Sequence, residues 1–283
     1  MVLPPRVLDT NVLGRLRLGP RGELDVFASI AALEAAHSDD LAAGAALVRT
    51  ATGALSRWRM NREGQWDRFA AANTACCRAA MDARDSVNPE ALVAGTLWPV
   101  REVYEPLSTP DGAVIEMEVA EQALLMEPLV DLFIAERLSS VREAVATIHA
   151  AASTGRPVWV GLAVSLDEPT ALEGGEPVAE AVAAIAAAGP DAILVNARTA
   201  DSAGPAVEAL MRASVPRADL LRGVVADAFD RWPNGAVEEH TPRAFVQYAR
   251  RWMETGVHLM AADQGASAEH VAAMRGLIAT EWK

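Results

Sequence analysis

The 283-residue chain is poor in the residues that staple or anchor a protein. Its only cysteines, Cys76 and Cys77, are adjacent. Neighbouring cysteines rarely bridge each other, because the ring strains the peptide. Both lie in an apolar stretch with helical period, so no disulfide framework is expected and a reducing, cytoplasmic compartment is. No apolar run approaches the ~20 residues of a membrane span. Residues 1–6 lack the charged region and hydrophobic core of a signal peptide. Basic residues are also short: 25 Lys and Arg stand against 38 Asp and Glu, a net charge of −13. A nucleic-acid partner needs a basic face to release counterions, and anionic lipid repels so acidic a chain. Neither nucleic acid nor membrane is an expected partner; the acidity reads as a self-repelling surface.

Metal and phosphate signatures are missing too. There is no CxxC and no HExxH, and Gly174-Gly175 precedes a helical stretch without the lysine of a P-loop. His37, His149 and His270 fall in helical stretches, His240 precedes one, and His258 opens a strand. Structural or solvated roles are expected for all of them.

What the chain does have is alternation. Hydrophobic residues make up 51% of it and charged ones 22%, enough for a large core and too apolar for disorder. Short apolar runs read as strands over 6–9, 46–50, 91–97, 130–135, 157–164, 192–196, 223–227 and from 257. Ala-rich, helix-periodic segments follow each, over about 25–37, 64–84, 114–128, from 140, 175–188, 204–213, 242–255 and 269–282. Ser140 with Glu143 has capping-box spacing, and Thr241-Pro242 is an N-cap followed by proline at the first helical position. The strand runs are continuously apolar, as in parallel strands covered on both faces. Eight strand-then-helix units predict an α/β fold, a (β/α)8 TIM barrel forming a single domain over 1–283. A doubly wound open sheet is the alternative.

In such barrels chemistry sits at the C-terminal ends of the strands. Those ends carry Asp9, Arg49 with Thr50, Trp98, Glu136 with Arg137, Asn196 with Arg198, Asp227, and Asp263 with Gln264. Desolvating a lone charge costs several kcal/mol, so one reading is a set of Asp–Arg pairs closing the barrel top. The other is a polar pocket for a small zwitterion or cation. A carboxylate cluster also suits a hard metal such as magnesium, but no spacing here is specific for one.

Taken in order, these stretches resemble the homocysteine S-methyltransferases, the barrels that include betaine–homocysteine methyltransferase. Leu8-Asp9 is similar to the family's opening "LDGG", Val93-Ala94-Gly95-Thr96 to its "AGS", and Ala135-Glu136 to its "FET". Gly189 to Asn196 resembles its sixth strand. Pro157 to Val160 with Leu172 to Gly175 resembles its fifth strand and "DG" turn. Thr241 to Gly256 and Gly265 with Glu269-His270-Val271 resemble its last two helices. The likeness covers nearly the whole chain.

In that family three cysteine thiolates hold zinc, one after the asparagine of strand six and two in a "GGCCG" after strand eight. Zinc then turns the homocysteine thiol into a thiolate. The matching positions here are Ala197, Asp263 and Gln264. The resemblance therefore implies a member without the zinc ligands, and no zinc or other cofactor is expected. Thr10 and Asn11 replace the tandem glycines after the first-strand aspartate. Thr50-Ala51-Thr52-Gly53 replaces "TNT" plus an aromatic, Trp98 replaces a small residue on strand three, and Asp227 an asparagine. By the resemblance, Asp9 and Glu136 would hold a substrate amino group, with Asn196, Trp98, Thr50, Asp227 and Asp263 lining the same site. Trp98 is either a filler of vacated space or a π-faced pocket wall.

Two functional readings follow. One is a zinc-independent methyltransferase, or a barrel binding a small amino compound or thiol, with Asp263 or Glu136 available as general base. The other is a non-catalytic barrel that supports a partner protein or a second copy of itself.

Overall fold

The computed structural model describes residues 6–10, 17–18, 24–231 and 237–281. Asn11, Trp282 and the N-terminal residues 1–5 lie outside them. Eight parallel strands form one sheet: β1 (Arg6–Val7), β2 (Leu47–Arg49), β3 (Leu92–Leu97), β4 (Leu132–Leu138), β5 (Val158–Ala163), β6 (Ala192–Ala197), β7 (Leu221–Ala226) and β8 (Leu259–Ala262). Their spatial order is β1-β8-β7-β6-β5-β4-β3-β2. The two ends then meet. Ala46 N–H donates to Val7 O at 2.9 Å and Asp9 N–H to Leu47 O at 3.0 Å. These backbone bonds close the ring, which decides for the barrel over the open sheet.

The helices of the barrel are α1 (Val26–Ala42), α2 (Arg57–Arg62), α3 (Phe69–Val87), α4 (Gly112–Met126), α5 (Val141–Ala152), α6 (Val178–Ala186), α7 (Ala200–Arg212), α8 (Pro242–Glu254) and α9 (Ala268–Glu281). Local chemistry sets their starts. Ser140 accepts the Glu143 N–H at 3.2 Å, and the Glu143 carboxylate reaches back to Ser139 N–H at 2.8 Å. Thr241 caps α8 through Ala244 N–H. Thr199 caps α7 through Ser202 N–H, so the helix starts at Ala200, four residues before the expected start near Gly204, and Pro205 lies inside it. α2 was not expected from the sequence; at six residues it is too short for a periodic signal. Two short antiparallel pairs were also not expected, Arg17–Leu18 with Leu24–Asp25 and Phe229–Arg231 with Val237–Glu239.

The barrel interior is layered. Leu47, Ala94, Ile134, Trp159, Leu194, Val225 and Ala261 form a buried apolar cluster. With side chains alternating along each strand, the next inward positions are Arg49, Thr96, Glu136, Gly161, Asn196, Asp227 and Asp263. The lumen thus changes from apolar to ionic within one layer of the top. A second, larger core lies between the outward faces of the strands and the helices. β4 extends past the expected end at 135. It carries a register irregularity between Ala135 and Leu138, and Arg137 takes a left-handed φ of 63° there. That bulge re-aims Arg137, which would otherwise face the helices.

Candidate functional site

Arg49, the last residue of β2, is the hub of the mouth. Its Nε donates to Asp9 Oδ1 at 2.6 Å and its Nη1 to Glu136 Oε1 at 2.5 Å. Its Nη2 donates to the Asp9 carbonyl at 3.0 Å, and its own backbone N–H to Asp9 Oδ2 at 2.7 Å. Asp263 stands 4.0 Å from Nη2. All four residues are buried. Burial opposes the charge on Arg49, but Glu136, Asp9 and Asp263 together hold its pKa well above the ordinary range. Burial pushes the Asp9 carboxyl up to about 8, against the pull of Arg49. The acidic pair that the resemblance gives to a substrate amino group is thus bridged by a guanidinium of the chain itself.

A second ion pair stands beside the first. Arg137 Nη2 donates to Asp263 Oδ2 at 2.8 Å, and its guanidinium carbon lies 4.5 Å from the centre of the Trp98 ring. Trp98 rests in turn on Gly53, where an added Cβ would come within 2.6 Å of the indole. The space that a side chain at position 53 would need is thus occupied by the indole of Trp98. Trp98 is half-buried, and as a slab between Gly53 and Arg137 it both fills space and lines the mouth.

Asn196 is equally fitted. Its Oδ1 accepts the Arg137 backbone N–H at 2.9 Å. The space comes from Gly161 on β5, where a Cβ would sit 2.1 Å from that oxygen. Thr50 is tied to its neighbours on β3 and the following loop. Its hydroxyl accepts Thr96 N–H at 3.0 Å and meets the Thr52 hydroxyl at 2.7 Å. Asp227 accepts Gln264 N–H at 3.2 Å and so ties the ends of β7 and β8 together.

The structure also brings in Tyr104, which no periodic or motif signal marks. It lies on the loop after β3 with φ 63° and stacks under the Arg198 guanidinium at 4.8 Å. Arg198 is paired with Glu173. Burial pushes the Tyr104 hydroxyl upward, and Arg137, Asp227, Asp263 and Arg198 all act on it. Two non-glycine residues with left-handed backbone, Tyr104 and Arg137, thus meet at one rim. Such strain is held only where the surroundings over-determine it.

The three positions matching the family's thiolates converge. Ala197 pairs in register with Ala226, and Ala226 with Ala262, the residue before Asp263. Those positions offer a methyl group, a carboxylate already bonded to Arg137, and an amide. No sulfur is near. Cys76 and Cys77 are buried on α3, outside the barrel, and burial raises both thiol pKa values, that of Cys76 to about 12. Among the described residues no group of three or more His, Cys, Asp or Glu is placed to hold a metal ion. This donor set does not fit a zinc–thiolate centre.

Comparison with known proteins agrees with the architecture. The family described as homocysteine S-methyltransferase matches residues 10–278. The crystal structure of the homocysteine methyltransferase MmuM from Escherichia coli, metallated form, superposes with a TM-score of 0.79 at 17% identity, covering 97% of this chain and 96% of that one. Its apo form gives 0.72 at 18% identity, with the same coverage. The carboxyl transferase domain of Rhizobium etli pyruvate carboxylase gives 0.54 at 14% identity, over 97% of this chain and 46% of that one. No curated protein sequence matches the chain. No helix among the described residues is long and apolar enough to cross a membrane.

Proposed function

For a chain that belongs to the homocysteine S-methyltransferase family, with the model of that family spanning residues 10–278, we propose a role that keeps the barrel and abandons zinc–thiolate chemistry. In this reading the protein is a zinc-independent, methyltransferase-like barrel that binds a small molecule at the C-terminal mouth. The observation that carries it is the Arg49 bridge between Asp9 and Glu136. An incoming ammonium group would have to displace a guanidinium that makes three side-chain bonds there. Asp9 and Glu136 then serve the fold, and Trp98, Asn196 and Arg137 are the residues left to meet a ligand. Asp263, bonded to Arg137, positions that arginine.

The experiment is metal analysis of the purified protein combined with a methyl-transfer assay. The assay offers homocysteine with methyl donors of the betaine and sulfonium classes. We expect substoichiometric zinc and no zinc-stimulated turnover; one equivalent of tightly held zinc, or turnover restored by zinc, overturns the reading.

A second reading, a non-catalytic barrel supporting a partner protein or another copy, has one observation in its favour. Met117 and Leu124 lie seven residues apart on the outer side of α4, 58% and 61% exposed. Size-exclusion chromatography with light scattering, on the wild type and on Met117→Lys with Leu124→Lys, tests self-association through that stripe.

A further inference from the structure

Three buried donors at the ends of β3, β4 and β6 have no acceptor among the described residues. Arg137 gives one Nη2–H to Asp263, but its Nε–H has no acceptor among the described residues. Asn196 commits Oδ1 to the Arg137 N–H, which turns Nδ2 the other way, and Nδ2 has no acceptor either. The Trp98 indole Nε1–H is the third such donor. The three residues are contiguous: the Arg137 guanidinium stacks on Trp98, and its backbone is bonded to Asn196. Arg137 is 4% exposed and Asn196 2%. Arg198 Nε–H, under which Tyr104 stacks, is a fourth donor without an acceptor, on the outer rim. Buried donors in native proteins are met by protein, water or ligand.

The charge around them selects the kind of group. The guanidinium groups of Arg49, Arg137 and Arg198 face the carboxylates of Asp9, Glu136, Asp263, Asp227 and Glu173. Even with Asp9 holding its proton, four acids face three guanidinium groups, so a bare anion entering this low-dielectric mouth is repelled. A cation finds donors pointing at it, and the acidic pair is already bridged by Arg49. The group that satisfies donors without adding negative charge is an uncharged oxygen with free lone pairs. We propose that the mouth binds the carbonyl oxygen of a small neutral amide, lactam or ketone, with Arg137 Nε, Asn196 Nδ2 and Trp98 Nε1 as its donors. This rests on the reading above that the mouth is a ligand site free of zinc. It reverses the polarity of a site for an amino group.

The test uses the full chain and matched neutral and charged probes: acetamide with acetate, benzamide with benzoate, nicotinamide with nicotinate, and methylammonium as the cation. Binding is read by thermal shift and by the indole N–H resonances in ¹⁵N-labelled protein. The Trp98 signal is assigned by its loss in Trp98→Phe, which keeps a ring under Arg137. We expect at least one neutral amide to raise the melting temperature and move the Trp98 indole resonance downfield, while its carboxylate partner does neither. Trp98→Phe and Asn196→Asp should each weaken that binding at least 5-fold, equivalent to ~1 kcal/mol. Binding of a carboxylate or of methylammonium at least as tightly as the neutral probes overturns the proposal. So does the absence of any neutral binder in zinc-free protein, which leaves the zinc-independent reading standing. Tightly held zinc in the purified protein overturns both.

Discussion

Arg49 Nε lies 2.6 Å from Asp9 Oδ1 while Asp9 Oδ2 accepts the Arg49 backbone N–H at 2.7 Å. One carboxylate thus fastens both the side chain and the main chain of the same residue, across the seam where β1 meets β2. Removing the guanidinium strands two buried carboxylates, Asp9 and Glu136. Arg49→Met is expected to lose about 3–5 kcal/mol of stability, the usual cost of breaking a buried pair from one side. Arg49→Met combined with Asp9→Asn and Glu136→Gln should recover most of that loss. Urea unfolding of the single and triple variants checks both outcomes; an unaffected single variant would refute the bridge.

The same aspartate predicts a pH dependence. Its pKa is 3.8 in the unfolded chain and about 8 when folded, because burial disfavours the charge. Between those values the folded state holds the proton and the unfolded state does not. The contribution of Asp9 is therefore fully present below about 3.8 and lost as pH rises through about 8. Glu143, raised by burial from 4.5 to about 7, acts with the same sign. The stability difference between wild type and Asp9→Asn should shift against the wild type from pH 5 to pH 9. A difference that stays flat across that range contradicts the assignment.

His37 on α1 has the opposite sign. Burial, with Arg49 adding to it, lowers its pKa from 6.5 to about 4. The contribution is present above 6.5 and lost as pH falls through about 4. Neither ring nitrogen has a hydrogen-bond partner among the described residues. Replacing a stranded polar group by an apolar one of similar size is neutral or stabilising. His37→Leu should gain up to ~1 kcal/mol at pH 7 and unfold at a lower pH than wild type in an acid titration followed by circular dichroism.

Gly53 and Trp98 form a size pair. A methyl group at 53 would meet the indole at 2.6 Å, well inside contact distance. Gly53→Ala should cost about 1–3 kcal/mol through overpacking. Adding Trp98→Ala should relieve that clash, so the double variant is more stable than the sum of the singles predicts. Additive losses in thermal melts would show that the two side chains do not compete for the same space.

The fold was legible because each of its signals is local. Val224-Val225 or Ile193 to Val195 reads as a buried parallel strand from composition alone, and Ser140 and Thr241 mark helix starts at the observed ones. Eight such units leave few topologies. What was misread was also local and weak. The six-residue α2 lacks a period, and β4 runs on through Glu136 and Arg137 because a bulge, invisible in composition, absorbs them. Asp9, Trp98, Glu136, Asn196, Asp227 and Asp263 could be placed at the strand ends, since such a position is itself a sequence feature. Tyr104 could not, because a loop residue reaches the rim through backbone conformation alone.

The sequence by itself determined the barrel, its lineage and the missing thiolates, for these depend on residue type and order along the chain. Pairing was decided only by the tertiary structure. Nothing in the order of residues says that Arg49 turns to Asp9 and Glu136, 40 and 87 positions away, rather than to solvent. Nor does it say that Arg137, swung inward by a left-handed backbone, takes Asp263 at a separation of 126. Charge is a property of a residue, but in a low-dielectric lumen its meaning is set by the nearest opposite charge, and closing the barrel chose that neighbour.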